Sequence, residues 1–309
     1  MSKYLITGAM GFVGRYFIEY LNQHEPNANV CGVDIAPSCD MDIEYSSLNL
    51  MDSASVDKLI KKSHPDYIVH LAAMSSVAQS WNEPVGCFIN NMSAFLNLAD
   101  AVRNNNVNAR ILSVGSSEEY GIYDMPMQES FTLHPKSPYS VARLSQEYMS
   151  KLYVDRFGLD IVMTRSFNHI GPRQSTRFVI PSFIEQLVNI ASGKIENKMM
   201  VGNIDVIRDF TDVRDVVDAY WRIIKKAKNR EVYNVCSGRG VKLRDIIDMA
   251  ANHLNIKPNI CVDPARVRAN DVPRVIGDNT KLKTELGWQP KYKLEETIVD
   301  MVNYMQKSK

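Results

Sequence analysis

The sequence predicts an α/β fold: a doubly wound parallel sheet with a smaller C-terminal lobe. Three observations carry this. Short apolar runs of strand length alternate with helical-period stretches through the first half of the chain. A glycine-spaced turn, Gly8-x-x-Gly11-x-x-Gly14, separates the first strand from the first helix. After Arg165 the rhythm loosens, and Pro172, Pro181, Pro258, Pro264, Pro273 and Pro290 punctuate a less regular region.

Lys3 to Thr7 is a short apolar run ending at Gly8, and Phe12 to Asn22 follows with Phe12, Phe17, Ile18 and Leu21 at helical spacing. Asn29 to Asp34 reads as a second strand. Ser55 to Ser63 reads as a helix with Val56, Leu59 and Ile60 on one face. Tyr67 to Ala72, Arg110 to Gly115 and Asp160 to Arg165 are further strands; Phe88 to Arg103 and Tyr139 to Phe157 are the helices between them. Such alternation implies right-handed crossovers and a sheet covered on both faces. Residues 1–165 are expected to form the main domain, with 211–236 returning to it. Residues 166–210 and 237–309 are expected to form the smaller lobe.

A chain of 309 residues can bury a substantial core, and 45% hydrophobic with 23% charged residues is ordinary for a soluble globular protein. A formal charge of +1 supplies no field to collect nucleic acid or an anionic membrane. Cys31, Cys39, Cys87, Cys236 and Cys261 are scattered without C-x-x-C spacing, which argues against a metal site or a disulfide framework. A reducing cytoplasm fits best. The N-terminus lacks the pattern of a signal peptide, and no apolar run is long enough to span a bilayer.

The glycine turn is the first chemical signal. Gly8 permits the tight turn, Gly11 lets a pyrophosphate approach the backbone, and Gly14 lets the helix pack close to the sheet. The unpaired N–H groups at the start of that helix suit phosphate oxygens, so the expected ligand is a dinucleotide. Phe12 and Val13 belong to the same turn. Asp34, about 20 residues after Gly14, can bond the adenosine ribose hydroxyls and would repel a 2′-phosphate. Residue 35 is isoleucine, where an NADP site often places an arginine. NAD(H) is therefore favoured and NADP(H) stays possible; a strand-end aspartate capping its own turn is the plain alternative.

With the glycine spacing, His70-Leu71-Ala72-Ala73 and Tyr139-x-x-x-Arg143, the chain resembles the extended short-chain dehydrogenase/reductases almost end to end. Four stretches point to the nucleotide-sugar branch: Gly115-Ser-Ser-Glu-Glu-Tyr-Gly121, Arg165 to Pro172, Val201 to Asp215, and Arg268 to Pro273 with Gly277-Asp278. Together they look most like the GDP-4-keto-6-deoxymannose reductases, with the GDP-mannose 4,6-dehydratases as near relatives. The resemblance implies a Rossmann-like fold and a Tyr-x-x-x-Lys pair; here the lysine position carries Arg143.

Hydride transfer to or from a carbinol carbon needs a proton moved on or off the oxygen. A tyrosine with a pKa of about 10 does this poorly at neutral pH unless a nearby cation stabilises the phenolate. One helical turn brings Arg143 beside Tyr139. Arginine keeps the charge, but its planar fork is bulkier and directs its donors differently. Three readings stay open: Arg143 serves as the lysine would; it slows turnover while leaving cofactor binding intact; or it is an engineered or incidental change.

By resemblance, Ser116 bonds the reacting oxygen, against a reading of Ser116 and Ser117 as loop hydroxyls capping their own backbone. Glu118 matches a glutamate that dehydratases use to move a proton beside the keto group, against a structural or substrate-hydroxyl role. Asn168, Arg208 and Arg268 match phosphate or ribose contacts, Arg173 joins them with less support, and Ser75 and Ser117 complete the expected substrate set. Leu71, Ala72 and Ala73 should line the cofactor cleft, with Asn49 and Leu50 near the adenine. His70 is read at the sheet edge near the adenine and His169 as structural. The helical stretches Asn91 to Arg103 and Tyr139 to Phe157 look amphipathic, and the resemblance implies a homodimer through a four-helix bundle.

The expected activity is NAD(P)H-dependent reduction of a GDP-linked 4-keto-6-deoxy sugar at C4. The enzymatic alternatives are a 4,6-dehydratase, a 4-dehydrogenase or an epimerase with recycled cofactor. The alternative of another class is a non-catalytic dinucleotide sensor that kept the fold and lost the lysine.

Overall fold

The computed structural model describes residues 1–267 and 272–307. The chain opens with β1 (Lys3–Thr7), α1 (Phe12–His24), β2 (Asn29–Asp34) and β3 (Glu44–Ser47). Next come α2 (Ser53–Ser63), β4 (Tyr67–His70), α3 (Val77–Asn82), α4 (Pro84–Asn104) and β5 (Arg110–Ser116). The central stretch holds α5 (Pro138–Phe157), β6 (Asp160–Ser166), β7 (Asn168–Ile170), α6 (Val179–Ala191), β8 (Met199–Val201) and β9 (Ile207–Asp212). The chain continues through α7 (Val213–Lys226), β10 (Val232–Val235), β11 (Gly240–Lys242), α8 (Leu243–His253) and β12 (Ile260–Val262). It closes with β13 (Arg274–Val275), α9 (Thr280–Leu286) and α10 (Leu294–Lys307).

Seven strands form one parallel sheet in the order β10-β6-β5-β4-β1-β2-β3. From β1 the chain builds outward through β2 and β3, then crosses back and builds the other way from β4. The order therefore reverses between β1 and β4, which is where open sheets of this kind form a ligand crevice beyond the strand ends. Side chains alternate across the sheet. Tyr4, Ile6, Leu112, Val162 and Tyr233 pack toward Phe17, Tyr220 and Ile223, while Leu5, Ile68, Ile111 and Ile161 pack toward Leu59, Phe95 and Leu98. The smaller lobe has its own core, centred on Phe183, Ile184, Ile246, Ile247 and Ile298. In that lobe β9 lies between β11 and β13 and also pairs with β7.

Local chemistry sets the helix ends that matter for the site. Ser137 and Ser140 cap α5 reciprocally, Pro138 occupies its first turn, and Gly158 ends it in the left-handed conformation at φ 69°. Asp52 caps α2 through Ser55 N.

The sequence reading named no separate elements in the smaller lobe, and in the main domain two elements escaped it. β3 is an edge strand with no fully buried residue, so it lacks an apolar signature, and α3 is only six residues long. Two expectations also need correcting. β4 stops at His70 rather than Ala72, because the N–H groups of Leu71 and Ala72 turn back onto the Thr7 hydroxyl, each at 3.2 Å. β4 also lies between β1 and β5, so His70 sits in the middle of the sheet and not at its edge.

Trp288 is fully buried between α9 and α10, and its indole N–H donates to Asp215 O at 3.0 Å. Trp288→Ala is expected to lower stability by about 3–5 kcal/mol, measured by denaturant unfolding.

Candidate active site

The strand ends and the loops after them converge on the crevice. At β1, Gly8 has φ +69° and a Cβ there would lie 2.9 Å from Ala72 N, while a Cβ on Gly14 would run into Gly8 O. Only glycine fits either place. Gly11 is exposed and stands at the N-cap of α1, with no side-chain cap on that helix end. Phe12 and Val13 open the helix, and the Phe12 ring packs against Tyr16 and stacks on His169. An uncapped helix start reached over a Cβ-free surface fits the pyrophosphate of a dinucleotide.

Asp34 ends β2 half-buried. Its carboxylate accepts from Met10 N at 3.0 Å and Ala36 N at 3.2 Å, which fixes it beside the glycine turn. Arg15, the residue after Gly14, bonds Met10 O and pairs with the exposed Asp40 at 2.8 Å. Asn49 is exposed, and its side-chain oxygen accepts from Met51 N. Leu50 is buried against the α2 core. Leu71, Ala72 and Ala73 are half-buried beyond β4.

Ser116 closes β5 next to a short 3-10 turn over Ser117–Glu119. Its hydroxyl accepts from Glu118 N at 3.2 Å, and its own N–H donates to Glu119 at 2.7 Å. Ser117 is buried and the Glu118 side chain is exposed. Glu119 is fully buried. Burial, and then the Glu147 charge, hold its carboxyl well above the usual range, which favours its protonated form. Burial also pushes Glu147 upward, but Arg165, at 2.8 Å from both its oxygens, and Lys151 more than offset this and keep it ionised. The cluster joins Ser116 to α5, the helix of Tyr139.

Tyr139 and Arg143 lie in the first two turns of α5, 7% and 4% exposed. Arg143 Nε donates to the Tyr139 hydroxyl at 3.3 Å. Nη1 donates to Val114 O at 3.0 Å and to Gln146 Oε1 at 2.8 Å. Among the described residues no carboxylate forms an ion pair with Arg143. Its titratable neighbours are uncharged at neutral pH. Burial, helped by Arg143, pulls His70 down to about 3. Burial raises the Cys87 thiol, and it raises Tyr220 to about 12.

On the other lip, Asn168 donates to Asp209 O at 3.2 Å, and Arg208 donates to Ile207 O and Val272 O. Ser75 is exposed beside α3. Arg268 lies outside the described residues. Arg173 grips Glu19 of α1 through both terminal nitrogens, at 2.6 and 2.7 Å, and lies 4.1 Å over the Tyr16 ring. That engagement ties the loop after β7 to α1. His169 is half-buried, its ring bonded to Phe167 O, and desolvation holds it below its usual pKa. Among the described residues no cluster of His, Cys, Asp or Glu could hold a metal ion.

The GDP-mannose 4,6 dehydratase family matches this chain over residues 5–301. The protein belongs to that family. GDP-6-deoxy-D-mannose reductase of Pseudomonas aeruginosa is 32% identical over 301 residues, 96% of this chain and 95% of the relative. GDP-6-deoxy-D-talose 4-dehydrogenase of Aggregatibacter actinomycetemcomitans is 30% identical over 291 residues, 92% and 91% of the two chains. The solved structure of RMD from Pseudomonas aeruginosa complexed with NADPH superposes with a TM-score of 0.90 at 29% identity, over 100% of both chains. The resemblance to the nucleotide-sugar branch of the extended short-chain dehydrogenase/reductases is borne out.

Within this family member, sequence reasoning missed Glu119, Gln146 and Arg15. Glu119 had a legible signal, since Ser116-x-x-Glu119 is the spacing of a capping box. Gln146 and Arg15 had none, because a lone polar residue on a helix reads as solvent-facing.

Gly11→Asp places a good helix cap where a pyrophosphate is expected. Unliganded stability should change by less than about 1 kcal/mol. The rise in melting temperature given by a dinucleotide should vanish, as thermal shift would show. Glu119 binds its proton more tightly folded than unfolded, so stability falls as pH rises above its ordinary value of 4.5. Glu119→Gln should remove that slope, measured as melting temperature against pH.

Proposed function

We propose that this protein reduces a GDP-linked 4-keto-6-deoxy sugar at C4, with a nicotinamide dinucleotide as the hydride source. The observation that carries the reading is the Tyr139 hydroxyl held 3.3 Å from a buried guanidinium that no carboxylate among the described residues neutralises. A cation kept so exposed to one phenol stabilises the charge left when that phenol gives up its proton. When bound, the reduced dinucleotide supplies the hydride. Tyr139 donates the proton to the carbonyl oxygen, Ser116 holds that oxygen, and Arg143 stabilises the tyrosinate until a proton returns. Glu119 keeps Ser116 in place by accepting from its backbone N–H.

Residues 1–165 with 211–236 are assigned to the dinucleotide, and 166–210 with 237–309 to the nucleotide sugar. Gly8, Gly11, Phe12, Val13 and Gly14 cradle the pyrophosphate. Asp34 meets the adenosine ribose, Asn49 and Leu50 lie toward the adenine, and Leu71 to Ala73 line the cleft. Asn168, Arg208 and Arg268 take the diphosphate and its ribose, with Ser75, Ser117 and Glu118 around the sugar. The carboxylate of Asp34 favours NAD(H). Arg15 beside the glycine turn supports NADP(H), although Asp40 already engages it.

A homodimer through α4 and α5 is supported by an exposed apolar strip: Val85, Phe88 and Ile89 on α4, with Val141, Tyr148 and Leu152 on α5. The α4 contribution lies in its first turns. Residues from Asn91 to Val102 mostly face the protein's own core. Among the described residues no helix is long and apolar enough to cross a membrane.

A specific observation favours a second reading, 4,6-dehydration. Glu118 presents an exposed carboxylate next to Ser116, where a proton beside a keto group could be removed. Two incubations separate the readings. Consumption of reduced dinucleotide with a GDP-4-keto-6-deoxy sugar supports reduction. A 4-keto product formed from GDP-mannose without added reductant overturns it in favour of dehydration. Binding of dinucleotide with no turnover of either sugar would leave a sensor. Tyr139→Phe should lower kcat by about 10²- to 10⁴-fold with dinucleotide affinity retained.

A further inference from the structure

An arginine at the lysine position brings a geometric problem. A lysine ammonium is a compact point charge that serves from any rotamer that reaches. A guanidinium is a plane with five N–H donors in fixed directions, and in a dry site each unmatched donor is costly. Arg143 can face Tyr139 usefully only if something sets that plane.

Gln146 stands one turn beyond Arg143 on α5 and is 1% exposed. Its side-chain oxygen accepts from Arg143 Nη1 at 2.8 Å. Its amide nitrogen donates to Ser113 Oγ at 2.8 Å and to Val114 O at 3.3 Å. Ser113 and Ser150 join their hydroxyls at 3.1 Å, and Ser150 bonds Gln146 O at 2.8 Å. The amide is thus anchored on β5 and on its own helix before it meets the arginine. Nη1 then has one hydrogen on a rigid backbone carbonyl, Val114 O, and the other on this anchored amide. Two fixed acceptors at one corner determine the plane, and that plane turns Nε to the Tyr139 hydroxyl. Nη2 makes no hydrogen bond among the described residues.

We propose that Gln146 is the positioning residue that lets arginine do a lysine's work here. Gln146 touches neither the phenol nor the reacting atoms; it acts through Arg143. The neighbouring groups that feel Arg143 from other elements are His70 on β4, Cys87 on α4 and Tyr220 on α7, and none of them supplies an acceptor to the fork. This rests on the proposed reductase chemistry for its kinetic readout, but not for its spectroscopic one.

The test is a double-mutant cycle of Gln146→Met with Arg143→Lys, scored by kcat, KM, melting temperature and the ring signal of Tyr139 in ¹³C-tyrosine NMR. Gln146→Met keeps the volume and removes the acceptor. With Arg143 present, kcat should fall about tenfold while KM for the nucleotide sugar stays within about twofold, the effect of one lost hydrogen bond. In the Arg143→Lys protein the same change should alter kcat by less than about twofold. Gln146→Glu keeps the acceptor and adds a negative charge beside the guanidinium. The alkaline limb of kcat, and the pH at which the Tyr139 signal changes, should both move upward. Ser113→Ala removes one of the anchor's hydrogen bonds while leaving Gln146 and Arg143 unmutated, and should lower kcat in the same direction, which guards against misfolding of the Gln146 variants. Equal losses in the arginine and lysine backgrounds would overturn the proposal, as would unchanged kcat in Gln146→Met. If no nucleotide sugar is turned over, the reductase reading fails by itself. The Tyr139 signal, recorded without sugar, still decides the brace: a displacement seen only with arginine at 143 sustains it, and none overturns it.

Discussion

Arg143 is a full positive charge taken out of water with no negative partner among the described residues. Desolvation makes that arrangement costly, and a fold selected for stability alone would pair the charge or replace it with an apolar side chain. This fold surrounds it with groups that stay neutral and with dipoles turned the right way. His70 and Tyr220 carry no charge at neutral pH, and Val114 O and Gln146 Oε1 present their negative ends to the fork. The cation is held but not cancelled, so its field remains available to the one acidic hydrogen beside it. Local charge left uncompensated in a cleft is a mark of function rather than of packing.

The parallel sheet makes such a site possible. Because every strand of the main sheet runs the same way, the ends of β1, β2, β4, β5 and β6 open onto one rim, and side chains distant in sequence meet there. Alignment along the rim then needs rigid ties. Ser116 is tied to Glu119 by a backbone hydrogen bond, Glu119 abuts Glu147, and Glu147 is one turn beyond Arg143 on α5. Gly115 is part of the same arrangement, since a Cβ there would run into Thr164 O and Glu119 Oε1. The strand that presents the serine and the helix that presents the tyrosine are thereby referenced to each other through buried polar contacts. Such contacts resist small displacements better than apolar packing does.

What the sequence disclosed follows from what is local. The glycine turn, Asp34, the strand ahead of Ser116 and the helix of Tyr139 are written in contiguous residues, with periodicity and caps that depend on near neighbours. In the main domain the elements missed were those without such a signature, the short half-exposed β3 and the six-residue α3; in the smaller lobe the prolines hid the individual elements, α6, α8 and α10 among them. Partners across the fold were not legible either. Nothing near Arg173 announces that Glu19, 154 residues away, will claim it. Gln146 reads as one more helical glutamine until Ser113, 33 residues earlier, is found beneath it. His70 was misplaced for the same reason, because strand order, and not strand content, puts β4 at the centre.

The identity of the cation also bears on the direction of chemistry. A lysine can lend its proton and take it back, but an arginine in a protein does not deprotonate. Under the proposed reduction, Arg143 can stabilise a tyrosinate without ever refilling it, and the proton consumed in each turnover must reach Tyr139 by another path. An enzyme that only reduces has that proton to gather once per turnover from the solvent side of the crevice. One that passes a proton back and forth within a single bound sugar would gain more from a cation able to exchange. The substitution at 143 thus sits more easily with one-way reduction than with recycled-cofactor chemistry. That preference comes from the arginine's chemistry alone, independently of any likeness to relatives.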